Sequence, residues 1–116
     1  VSDSLRQRVG KANAYKVDLF VSIHFNCFNK KAHGTEVFAI SPIGRMYAKA
    51  IVDNLADLGW RNRGVKDGRH LYVVKHTDMP AVLIEVCFCD NEDDMKKFDA
   101  DEVAKAIALA IAEVRR

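Results

Sequence analysis

Two apolar runs dictate most of what this chain can fold into. Leu19-Phe20-Val21-Ser22-Ile23 and Ala81-Val82-Leu83-Ile84, the latter resuming at Val86-Cys87-Phe88, are short and rich in β-branched and aromatic residues. Runs of that length and make-up read as strands buried within a sheet. Each delivers one group that chemistry can use. The first leads into His24, then Asn26 and the polar loop Asn29–Gly34; the second has Glu85 as its only charge. A buried carboxylate is unfavourable unless it has a partner, a metal or a catalytic task. Two buried strands that each carry a metal-capable or proton-transferring group point to one site. Taken singly, each group has a plainer account: a structural histidine at a strand end, and a carboxylate held by a backbone group or an arginine.

The rest of the chain surrounds these strands with helices. Ser2-Asp3-Ser4 can cap a helix running to about Ala14, with Leu5, Val9 and Ala12 on one face. Gly34–Ile40 alternates and is β-branched, so a second strand is expected there, with Glu36 on its polar face. The gap from His24 is too short for a crossover helix, so these two strands are antiparallel or joined by an irregular loop. Ser41-Pro42 starts a helix with Tyr47, Ala50, Ile51, Leu55 and Leu58 inward and Gly59 beyond its end. Trp60–Arg69 reads as a polar, basic loop with a short extended piece at Gly64–Lys66, and Leu71–Val74 as a short strand. Asp90–Asp94 opens a short acidic helix. Asp99 or Asp101 caps a last helix with Val103, Ile107, Ile111 and Val114 buried. Strands interleaved with helices imply an α/β sandwich, a mostly parallel sheet between helical layers, in one domain over residues 1–116.

Composition excludes several classes of function. The 116 residues are 49% hydrophobic and 29% charged, with a net charge of +2. That excess is too mild to argue for nucleic acid, and no basic patch is interleaved with aromatics. No apolar run reaches the length of a membrane span, so membrane insertion is not expected. The basic set Arg61, Arg63, Lys66 and Arg69 is expected to be a solvated face, with a negatively charged polymer as its alternative partner. Three cysteines imply no disulfide framework; Cys87 and Cys89 are not expected to pair, and reduced thiols are the simplest expectation.

The order of motifs carries a resemblance. Arg8-x-x-x-Ala12-Asn13, Asp18–Asn26 with its Ser22-Ile23-His24-x-Asn26 core, His33-Gly34-Thr35-Glu36-Val37-Phe38, Met79–Glu85, and Phe88-x-Asp90-Asn91 together resemble the zinc-dependent N-acetylmuramoyl-L-alanine amidases of bacterial autolysins and phage endolysins. The resemblance implies the phosphorylase/hydrolase-like α/β fold. It also implies hydrolysis, in peptidoglycan, of the amide between N-acetylmuramic acid and the L-alanine of the stem peptide. It assigns His24 as a ligand of a Zn2+ cofactor and Glu85 as the catalytic glutamate. Asn26 and His76 are candidates for substrate contact; His33 and His70 are expected to be solvated. The place of action would be the bacterial cell wall, reached by secretion or by release on host lysis.

The departures are as informative as the match. The family's first zinc histidine and its zinc glutamate lie upstream of the segments that resemble this chain. The resemblance accordingly implies a chain without the family's first strand and helix, and His33-Gly34 matches a different segment. The expectation is a chain matching only the C-terminal two-thirds of an amidase domain, needing an N-terminal segment for further zinc ligands. An inert fragment or regulatory remnant is the alternative. A structural zinc site built from His24 with Cys27, Cys87 or Cys89 is a third reading, but the spacings fit no recognised module.

Overall fold

The computed structural model describes residues 2–116. Helix α1 (Asp3–Tyr15) begins where the Ser2 hydroxyl accepts the Leu5 N–H, and it ends at Lys16 in the left-handed region. Then follow β1 (Phe20–Asn26), β2 (Thr35–Ala39), α2 (Pro42–Ala56), β3 (Asn62–Asp67), α3 (Tyr72–Lys75), β4 (Ala81–Phe88), α4 (Glu92–Lys96) and α5 (Ala100–Arg115). Ser41 caps α2 through Gly44, Asn91 caps α4 through Asp94, and Asp99 caps α5.

The four strands form one sheet in the order β1-β4-β2-β3. β1 and β4 pair in parallel, as do β2 and β3; β2 and β4 are antiparallel. β1 and β2 therefore run in opposite senses, with β4 inserted between them, and residues 27–34 cross over its end. Alternation sorts the side chains between two cores. Val37, Ala39, Val82, Ile84 and Val86 face α2 and α5. Phe20, Phe38, Ala81 and Leu83 face α1 and α3.

Three expectations are corrected. β1 is an edge strand and not a buried one. Among the described residues β4 is its only neighbour, and Ile23 is 57% and Phe25 43% exposed. The short extended piece expected at Gly64–Lys66 is longer, a strand over Asn62–Asp67: pairing with β2 overrides the weak local preference of its flanks, and Val65 anchors it to the core. Leu71–Val74 is not a strand. Tyr72–Lys75 makes one helical turn, closed by Lys75 N–H to Leu71 carbonyl at 2.9 Å and His76 N–H to Tyr72 carbonyl at 3.0 Å. A turn lets neighbours Val73 and Val74 both bury against Val9 and Leu83, which strand alternation would forbid.

The loop into β2 requires glycine. Gly34 has φ +113, and a Cβ there would lie 2.5 Å from the Arg61 carbonyl oxygen. Gly34→Ala is expected to lower stability by about 2–3 kcal/mol. In urea titrations the midpoint should fall with the slope unchanged; an unmoved midpoint would refute the assignment.

Candidate active site

Register, not sequence proximity, assembles the site. Glu85 on β4 is the Cα partner of His24 on β1 and of Glu36 on β2. Directly opposed residues point to the same face, so His24, Glu85 and Glu36 form a row across three strands. By alternation that face is the one α1 and α3 cover further down the strands. The His24 Nε2 and Ser22 Oγ are hydrogen-bonded at 2.7 Å, and the imidazole is exposed.

The two carboxylates differ sharply. Glu36 is 6% exposed, and both its oxygens are engaged. Arg63 Nε donates to Oε1 at 2.8 Å, and Asn26 Nδ2 donates to Oε2 at 3.3 Å. Glu85 has a buried Oε2 with no hydrogen-bond partner. Desolvation, with the neighbouring Glu36 carboxylate adding to it, pushes the Glu85 carboxyl up to about 7. A carboxyl poised there can take up or release a proton near neutrality.

A bulge finishes the site. His24 pairs with Glu85 but Asn26 pairs with Phe88, so β4 carries an extra residue. Val86 and Cys87 consequently both enter the core against α2 and α5. The bulge also lets Phe88 pair with Asn26 and lie beneath Arg63, whose Cζ is 5.1 Å from the ring centre.

Of the residues singled out from sequence, His24, Glu85 and Asn26 are brought together. His76 is exposed; its ring packs on Tyr72 and its carbonyl accepts from Asn13 Nδ2 at 3.1 Å. It shares no partner with the row. His33 and His70 are exposed, the latter edge-on to Phe38. Glu36 and Arg63 were missed. Glu36 was expected on a polar face, yet it is the lone charge in Thr35–Ile40, the same signal that singled out Glu85. Arg63 belongs to no solvated stripe: it turns inward while Arg61, Lys66 and Arg69 stay exposed.

Zinc is the cofactor the resemblance implies. Among the described residues no three His, Cys, Asp or Glu side chains come together in a metal-holding group. His24 and Glu85 adjoin, but one imidazole does not hold zinc tightly. The described residues alone therefore do not fit a bound zinc ion.

The family model described as N-acetylmuramoyl-L-alanine amidase matches residues 1–114. The chain is 44% identical, over 95% of its length, to an uncharacterized cell wall amidase of Bacillus anthracis, of which it spans 23%. It is 37% identical to the endolysin of Bacillus phage SPP1, over 95% of the chain and 45% of the relative. It is 35% identical to the N-acetylmuramoyl-L-alanine amidase LytC of Bacillus subtilis, over 90% of the chain and 23% of the relative. Among solved structures, the catalytic domain of an endolysin targeting Clostridium difficile superposes with a TM-score of 0.91 at 32% identity, over 96% of this chain and 63% of that one. The CwlV catalytic domain from Bacillus (Paenibacillus) polymyxa does so with 0.84 at 35% identity, over 94% and 64%. The chain thus spans 23–45% of the length of these sequence relatives and just under two thirds of the two solved chains. Its mixed sheet between helices is the fold of their amidase catalytic domains, and the chain belongs to the N-acetylmuramoyl-L-alanine amidase family.

Proposed function

We propose that this chain is part of a peptidoglycan hydrolase that cleaves the amide between N-acetylmuramic acid and the L-alanine of the stem peptide. The observation that carries this reading is Glu85: central in the row, one oxygen unpartnered, its carboxyl raised to about 7. In this role Glu85 takes the proton of the attacking water and returns it to the departing L-alanine amine. Arg63 and Asn26 fix the Glu36 carboxylate beside it. Of the two candidates for substrate contact, Asn26 stands at the row and His76 apart from it.

His24 is the zinc ligand this reading assigns, with the remaining donors coming from beyond the described residues. A zinc ion so held would polarise the scissile carbonyl and acidify a water. Relatives named cell wall amidase and endolysin support the bacterial wall as the place of action. No helix among the described residues is long and apolar enough to cross a membrane.

A second reading has its own observation. Because no three metal-capable side chains gather among the described residues, those residues by themselves would be an inert remnant. Zinc per chain, with intact mass recorded on the same sample, separates the two. One zinc per chain at a mass larger than 116 residues, lost in His24→Ala, together with release of L-alanine-headed peptides from a muramyl peptide, is the expected result for the hydrolase. Absent zinc and absent peptide release at the mass of 116 residues would leave the fold and remove the activity from this molecule.

A further inference from the structure

The two exposed cysteines stand together. β1 and β4 run parallel and end side by side, with Asn26 and Phe88 as their last pair. Cys89 N–H donates to the Asn26 carbonyl at 2.8 Å. The next residue along each strand is therefore a cysteine, Cys27 on one and Cys89 on the other, and both are exposed. Neighbouring strands lie about 4.8 Å apart, inside the range of Cα separations a disulfide spans. The Asp90 carboxylate, first, and the Cys89 thiol lie near enough to the Cys27 thiol to raise its pKa.

The loop around them is held in place from Asp90, whose Oδ2 accepts the Phe28 N–H at 3.1 Å and the Lys30 N–H at 3.0 Å. The third cysteine is set apart. Cys87 is buried, with Sγ 3.9 Å from Met95 Sδ, and desolvation pushes its thiol up to about 12.

We propose that Cys27 and Cys89 are a redox-responsive pair that closes to a disulfide across the ends of the two strands carrying His24 and Glu85. The oxidant is an external disulfide, either a small molecule or a protein dithiol oxidase in its oxidised form. One thiol loses its proton and attacks the external disulfide, releasing one thiolate and leaving a mixed disulfide. The second thiol then loses its proton and attacks the protein-side sulfur, releasing the other thiolate. Two thiols are oxidised, one disulfide is reduced, and the two protons pass to the released thiolates. The bond would pin the exposed edge strand β1 to β4 and fix the loop leading to Gly34. The Asp90 carboxylate, chiefly, keeps the Cys27 thiol protonated. Exchange is therefore slow at neutral pH and faster in alkali.

The test uses the full 116-residue chain treated with oxidised glutathione at alkaline pH, acid-quenched, denatured and alkylated. The expected product is two hydrogens lighter than the reduced chain, alkylated only at Cys87, with Cys27 and Cys89 in one cross-linked peptide pair. Its Tm should exceed that of the reduced chain by roughly 5–10 °C. Cys27→Ser and Cys89→Ser should each stop at a mixed disulfide with one glutathione. Glutathione retained on the parent chain, a bridge that includes Cys87 or a second chain, or a cross-link that lowers Tm would each overturn the proposal.

Discussion

Glu85→Gln is expected to make the metal-free chain more stable at pH 8 and, on the function proposed above, to slow hydrolysis of muramyl peptides by the zinc-loaded protein. Folding moves the Glu85 carboxyl from 4.5 to about 7, first by desolvation and then by the charge of Glu36. The folded state thus binds this proton more tightly than the unfolded chain. The resulting stability is fully present below about pH 4.5 and is lost as pH rises through about 7. Above that range a charge sits half-buried beside a second carboxylate. Glu85 is open enough for solvent to screen much of this, so the penalty is about 1–2 kcal/mol. Glutamine has the shape of the protonated acid and carries no charge. The variant should therefore melt about 5 °C higher at pH 8. At pH 4.5 it should match the parent, and the difference between the two curves cancels every other titrating group. Hydrolysis should fall by roughly a hundredfold or more, the contribution of a positioned proton-transfer group. Identical melting of the two proteins at both pH values would mean that Glu85 is an ordinary solvated carboxylate, and the assignment of the base would go with it.

The part of this site that could be read from the sequence is the part that rests on local cost. A single charge inside an apolar run is anomalous whatever the fold, and that marked Glu85. The histidine closing the other run marked His24, and the sheet register makes the two direct neighbours. The same reasoning applied to Thr35–Ile40 would have found Glu36. Alternation alone, however, allows a strand to put such a charge towards water. Its true environment depends on Arg63, 27 positions further on, reaching back across the β2–β3 pair. The extended piece at Gly64–Lys66 is legible but its pairing is not, since Asn62–Asp67 as a whole has little strand preference and is held by the backbone of β2. Leu71–Val74 shows the opposite failure. Its residues favour a strand, but a regular strand cannot bury two adjacent valines on one face, and here a helical turn does so. The burial of β1 was overestimated for a third reason. An apolar run reports what a strand can bury, not how many neighbours the sheet supplies it.

Asp94→Ala should bring the largest loss of stability of any polar substitution in the chain, about 3–4 kcal/mol. Asp94 is 1% exposed and ties together segments far apart in sequence. Its Oδ2 accepts the Gly34 N–H at 2.8 Å and the Phe88 N–H at 2.9 Å, holding the entry to β2 against the exit of β4. Its own N–H is capped by Asn91 Oδ1 at 3.0 Å, and its carbonyl accepts Trp60 Nε1–H at 3.1 Å. Alanine keeps the last two contacts, which use the backbone, but strands two buried amides and leaves a cavity. Asp94→Asn separates these effects. Its carbonyl can replace Oδ2 for both amides, while its NH2 would fall where Oδ1 is buried without a partner. A loss of about 1–2 kcal/mol is expected, between parent and alanine. Chemical denaturation gives the order, and hydrogen exchange at Gly34 and Phe88 localises it, with protection of both amides dropping together in the alanine variant. Equal losses for Asn and Ala would show that the negative charge, not the acceptor geometry, holds the junction. An alanine variant as stable as the parent would refute the role altogether. Glu36 lies two residues beyond Gly34, and Glu85 three before Phe88. The junction at Asp94 therefore lies just beyond the β2–β4 pairing that sets Glu36 opposite Glu85.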